Sequence, residues 1–235
     1  MSRHAAGWLL AALLVAAPAE SQPIDRAALV KRHDVVLTRI DPHAPLMLGN
    51  GELGFTADIT GLQTFPEEYA PAAPLLTMAQ WAWHSFPNPQ HYTEQDGLVQ
   101  VPVPGGGTQP YSYMRDFDAL KTNPELVWLR ENPHRFSLGR IALSLTGRDG
   151  KPARFEALRD TRQRLELWSG TLSSHFLFEG QPVSVTTRVH PVRDMVMVEI
   201  RSALVASGRL GVDVRYPGVS RSLNPDPSDW GANSG

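Results

Sequence analysis

The sequence predicts a mainly β protein, a large antiparallel β-sandwich with one or two short helices, on three observations. Short segments of alternating apolar and polar residues follow one another at intervals of about ten residues through the second half. The 20 prolines and 19 glycines spread turn chemistry along the chain and leave few windows long enough for a helix. With no cysteine in 235 residues, the fold must be held by core packing rather than cross-links, which requires a large domain.

The first segment reads as an address label. Ser2, Arg3 and His4 precede an apolar run from Ala5 to Ala17, too short to span a bilayer comfortably. Ala17-Pro18-Ala19 supplies a small-x-small cleavage pattern, and the chain turns polar at Glu20. Residues 1–19 are therefore expected to be a signal peptide cleaved after Ala19, with an uncleaved anchor of the same polarity as the alternative. Either reading exports the remainder, to the periplasm or the medium.

Asp25 near the start of Ile24–Arg32 predicts one or two helical turns, and the β-branched run Val35–Ile40 a strand that ends at Asp41-Pro42. Asn50-Gly51, set between apolar runs from Leu46 to Ile59, predicts a hairpin, because both residues tolerate positive φ. Leu62–Phe65 reads as a further strand stopped by Pro66, and residues 66–75 as a loop. If Leu76–Trp83 is extended, Trp81 and Trp83 share one face against Gln80 and Ala82. From Pro87 to Pro110, including Gly105-Gly106-Gly107, a long irregular stretch is expected.

Asn123 as cap and Pro124 in the first turn predict a helix ended by Pro133, short enough to need a sheet to pack on. A β meander follows over Leu138–Thr146, Arg164–Trp168, Thr171–Phe178, Pro182–His190, Met195–Ile200 and Gly208–Tyr216. Beyond Pro217 the chain turns polar. Residues 24–217 are thus read as the sandwich domain, and residues 218–235 as the start of a linker.

Composition excludes several classes. The 22 basic and 24 acidic residues give a formal charge of −2 and are interleaved, as in Arg130-Glu131 and Arg159-Asp160, so no nucleic-acid footprint is visible. After the leader, no apolar stretch is long enough to cross a membrane. Thiolate chemistry is ruled out by the lack of cysteine. The eight histidines are dispersed, and His84 and His91 have no obvious third ligand, so no metal or other cofactor is expected. The triple glycine has no Lys-Ser/Thr companion for a phosphate cradle, and no Gly-x-Ser-x-Gly elbow is present.

Arg32-His33, Gly49-Asn50-Gly51-Glu52-Leu53-Gly54, Thr60-Gly61-Leu62-Gln63-Thr64-Phe65, Gln80-Trp81-Ala82-Trp83-His84-Ser85-Phe86-Pro87 and Leu165-Glu166-Leu167-Trp168-Ser169-Gly170 together resemble bacterial proteins related to glycoside hydrolase family 65. The resemblance covers essentially the whole chain after the leader. It implies an N-terminal sandwich that precedes an (α/α)6 barrel carrying the catalytic glutamate. No segment here matches that barrel, so no catalytic residue is carried over.

Glycoside cleavage needs two converging carboxyl groups. Glu52, Asp58, Glu67, Glu68, Glu94 and Asp96 are the available acids in the first half, and nothing in their spacing makes a pair converge; Glu67-Glu68 reads as a solvated pair. Trp81, Trp83 and His84 are the candidate substrate-binding residues, since an indole stacks on the C–H face of a sugar and an imidazole bonds its hydroxyls. Two tryptophans on one strand face ordinarily build a core. The prolines and long loop that follow place this segment at a sheet edge instead. The expected function is the non-catalytic part of an exported glycoside hydrolase or phosphorylase, rimming the sugar site of the barrel domain. The alternative is a stand-alone carbohydrate-binding or structural sandwich, and a third reading is a truncated chain that folds poorly.

Overall fold

The computed structural model describes residues 23–112, 123–221 and 226–231; the leader read over residues 1–19 lies outside them. The described chain is mainly β, with antiparallel sheets and four short helices. No helix among the described residues is long and apolar enough to cross a membrane.

One layer is a five-stranded antiparallel sheet in the order β1-β10-β11-β12-β13, built from Val35–Leu37, Leu158–Glu166, Thr171–Phe178, Gln181–Val189 and Val196–Arg201. Its inner face follows the period-2 rule: Leu172, Ser174, Phe176 and Phe178 on β11 and Val183, Val185 and Thr187 on β12 are buried. On β10 the parity changes, with Leu158 and then Gln163 and Leu165 facing inward, because the register shifts between Arg159 and Arg162. That β-bulge contains Asp160 at φ 50° and resets which residues meet the core.

Opposite lie the sheet β2-β3-β4 (Leu46–Gly49, Leu53–Ala57, Thr77–Ala79) and the pair β9–β14 (Arg140–Leu145, Leu210–Arg215). Leu46, Leu48, Phe55 and Ala57 from the first and Leu143, Leu145 and Leu210 from the second share one apolar cluster with the five-stranded sheet. This is the sandwich expected from the sequence.

Segment 58–65 joins the layers and corrects the strand expected over Leu62–Phe65: it is a run of turns, buried almost throughout. Gly61 at φ 87° turns the chain inward, and its carbonyl accepts from Thr187 Oγ1 at 2.7 Å. Gln63 bonds to β9 on both sides, its backbone N–H donating to the Ile141 carbonyl at 2.8 Å and its Oε1 accepting from Ile141 N at 3.2 Å. Gln163 of β10 donates to the Asp58 carbonyl at 2.6 Å and to Ser174 Oγ at 2.9 Å. A strand would leave these polar groups without partners in the interior, whereas the turns let every layer supply one.

The helices are α1 (Arg26–Lys31), α2 (Pro66–Tyr69), α3 (Pro124–Glu131) and α4 (Ala203–Ala206). Asp25 caps α1 and Asn123 caps α3, each accepting from the N–H three residues on. α2 corrects the loop read over residues 66–75: Pro66 fixes the first-turn φ, and Glu67 and Glu68 sit at its positive end. α3 packs on the 3₁₀ turn Glu94–Gly97, where a Cβ on Gly97 would stand 2.1 Å from Leu129 Cδ1, rather than on a sheet as expected.

The stretch from Pro87 to Pro110 is more regular than predicted. Beyond the 3₁₀ turn it forms the hairpin of β6 (Val99–Pro102) and β7 (Thr108–Tyr111), with all three glycines at its tip in positive φ. Two small ladders complete the fold: β5 (Trp83–His84) with β8 (His134–Arg135), and β15 (Gly218–Val219) with β16 (Ser228–Asp229). The segment read as a linker thus folds back where it is described, and the Arg140 guanidinium lies 3.9 Å over the Trp230 ring.

Candidate functional site

The Gly49–Gly54 hairpin does more than reverse the chain. Asn50 Oδ1 accepts from the N–H groups of Glu52 and Leu53, at 2.9 and 2.8 Å, which shapes the turn. Its Nδ2 reaches across to the β12–β13 connection and donates to the carbonyls of His190 and Arg193 and to Asp194 Oδ1, each at 3.2 Å. His190 Nδ1 accepts from the N–H groups of Val192 and Arg193 and holds that connection in shape.

Onto this platform the Trp81–His84 segment is laid. Gln80 and Trp81 form a turn after β4, so residues 76–83 are not the continuous strand expected; Gln80 N donates to the Glu52 carbonyl at 2.9 Å. The Trp81 indole N–H donates to Asp194 Oδ2 at 2.6 Å. Ala82 is buried between the two tryptophans, while Trp81 and Trp83 are each 55 % exposed. The core reading of these indoles is therefore overturned: both are more than half exposed to solvent.

His84 is half-buried and lies edge-on to Phe86, with ring centroids 4.9 Å apart. Phe86 is in turn edge-on to His134 at 5.6 Å and is covered by the Arg221 guanidinium at 4.3 Å. Arg221 is tied to Glu131 at 2.5 Å. His134 stands opposite His84 in the β5–β8 ladder, and its two ring nitrogens are buried without a hydrogen-bond partner. The three predicted residues thus share one short segment, with Trp83 and Trp81 outward and His84 turned toward an aromatic cluster. Sequence reasoning missed Asp194 and His134, which lie in a turn and a two-residue strand that carry no periodic signal.

Of the candidate acids, Asp58, Asp96 and Glu67 lie in different surroundings. Asp58 is fully buried: Oδ1 accepts from Thr60 N and Oγ1 at 2.7 and 2.5 Å, and Oδ2 from Phe65 N at 2.8 Å. Burial pushes its carboxyl up to about 6, against the lowering effect of these bonds. It is a structural group of the turn segment. Asp96 closes a capping box with Thr93, whose backbone N–H holds its carboxyl below the usual range. Glu67 lines a cleft of about 320 Å³ with Arg140, Asp213 and Arg215, and none of Trp81, Trp83 and His84 reaches it. Among the described residues, no three His, Asp or Glu side chains converge in a way that could hold a metal ion.

The segment thus presents two solvent-exposed indoles, one of them bonded to a carboxylate, beside a histidine. No protein-family model matches the chain, and no curated protein matches it.

Proposed function

We propose that this chain is the non-catalytic β-sandwich part of an exported carbohydrate-active enzyme, a glycoside hydrolase or phosphorylase, and that the Trp81–His84 segment rims its sugar site. The chemistry resides in an (α/α)6 barrel domain outside this chain. One observation carries the reading: Trp81 and Trp83 are kept in solvent by a buried Ala82 and, for Trp81, by a bond to Asp194, an arrangement that suits stacking on the C–H face of a pyranose. The resemblance of the Gly49–Gly54 and Gln80–Pro87 segments to family 65 relatives supports the same assignment.

The test is kinetic and uses the enzyme that carries both domains. Trp83→Ala and His84→Ala should each raise KM, with kcat and thermal stability little changed. Unchanged KM with an intact fold would refute the assignment. The same exposed indoles also favour a second reading, a carbohydrate-binding module that acts alone. Saturable oligosaccharide binding by this chain without a barrel domain supports the module, whereas activity that appears only when the barrel is joined supports the enzyme part.

A further inference from the structure

Among the described residues, strand β14 is the outer edge of its sheet: β9 pairs with it on one side, and segment 62–64 occupies the other side of β9. Residues opposed across a ladder share a face. Val212 is opposed to Leu143 and Val214 to Ile141; Leu143 is buried in the core and Ile141 packs against it. Val212 and Val214 therefore face the core side, yet they are 49 % and 52 % exposed, and Tyr216, next on that face, is 67 % exposed. An edge strand with inward-facing apolar residues open to water is a template for another strand.

Among the described strands, β1, β6 and β7 are blunted edges, whereas β13 (Val196–Arg201) is, like β14, an edge without proline or lysine. β1 has only three residues, and β6 and β7 carry Pro102 and Pro110. β14 has neither proline nor lysine over Leu210–Arg215, and its two charges, Asp213 and Arg215, are of opposite sign and lie together on the outer face.

Those charges select one self-pairing register. Antiparallel pairing centred on Val214 opposes each Asp213 to the partner's Arg215, each Val212 to the partner's Tyr216, and Val214 to the partner's Val214. Centring on Asp213 or on Arg215 sets like charges face to face, and centring on Val212 opposes Arg209 to the partner's Arg215. A slip by one residue turns the apolar face of one strand onto the polar face of the other. We propose that β14 pairs antiparallel with β14 of a second copy about a two-fold axis at Val214, and that this isologous contact covers this open edge of the sandwich.

Sedimentation velocity on the full chain, over concentrations up to about 100 μM, tests the pairing. The wild-type chain should dimerise. Arg215→Asp and Asp213→Arg should each weaken the dimer at least about tenfold, because each turns two attractive pairs into repulsive ones. The double variant Asp213→Arg/Arg215→Asp restores both pairs and should bring the dissociation constant back to within about threefold of wild type. Circular dichroism confirms that each variant is folded. A monomer throughout the range overturns the proposal, including one whose β14 amides resist hydrogen exchange because its own chain covers them. A dimer indifferent to Arg215→Asp, or one that the charge swap fails to restore, overturns it as well.

Discussion

The Trp81 indole nitrogen and the Asp194 carboxylate meet at 2.6 Å although 113 residues separate them in the chain. Asp194 also accepts from Asn50, so the hairpin, the β12–β13 connection and the tryptophan segment are fixed by one carboxyl group. This is what holds an otherwise exposed indole in a defined orientation. Asp194→Ala should therefore lower stability by only about 1 kcal/mol, the net worth of such a hydrogen bond near solvent. It should also shift Trp81 fluorescence and weaken oligosaccharide binding several-fold. Asp194→Asn keeps an acceptor and should show the smaller effect on both readouts, measured by urea unfolding and by titration.

Asp58 gives the fold a pH signature. Its carboxyl titrates near 6 in the folded state because burial penalises the charge, against an ordinary value of 3.8. The folded state thus binds the proton more tightly than the unfolded one. The contribution is full below the unfolded value and is lost as pH rises through the folded one, by about 3 kcal/mol. Other carboxylates pull the opposite way. Asp34, held low by bonds from the Leu167 N–H and Arg164, and Glu179, held low first by the Arg148 N–H, both stabilise the fold as pH rises through the acid range. The Asp58 contribution is accordingly read as a difference: the stability advantage of wild type over Asp58→Asn should shrink between pH 4 and pH 7. An advantage constant across that window would contradict the assigned cause.

Gly61 should not accept a side chain. At φ 87° a β-carbon is strained, and it would stand 2.9 Å from Ser174 Oγ and 3.3 Å from Val185 Cγ1. Gly61→Ala is expected to cost about 2–4 kcal/mol, from backbone strain and the displacement of Ser174. In Gly61→Ala/Ser174→Ala the contact is relieved while the strain stays, so denaturation should show a sub-additive pair.

Gln163→Ala should be similarly harmful for a different reason. It strips one of two donors from the buried Asp58 carbonyl, which keeps the Gly61 N–H at 3.0 Å, and removes the bond to Ser174 Oγ, at about 1–3 kcal/mol for the hydroxyl left unsatisfied. Gln163→Met fills the volume without restoring either bond, and recovery by methionine would show that packing rather than hydrogen bonding is at stake.

These positions mark what was legible in the sequence. The meander was readable because one face of each strand is buried and one is wet, so Thr171–Phe178 alternates and β11 spans those same residues. Segment 58–65 was not, because Asp58, Thr60 and Gln63 are as buried as Ile59 and Leu62, and apolar patterning carries no signal for polar groups satisfied by distant layers. For the same reason the Trp81–His84 segment was legible only in its tryptophans. Indoles beside prolines announce an edge, while the anchoring Asp194 sits in a short turn whose partners are all remote.

The central claim is that Trp81 and Trp83 face a sugar. Indole N–H resonances followed by heteronuclear NMR during oligosaccharide titration test it most directly, because Trp128 and Trp230 bond elsewhere, to the Pro87 carbonyl and to Asp226, and serve as internal controls. The account predicts saturable shifts at Trp81 and Trp83, with the two controls still, and a weakened Trp81 shift in Trp83→Ala and in Asp194→Ala. No shift at either residue, or an equal shift at all four, would contradict it.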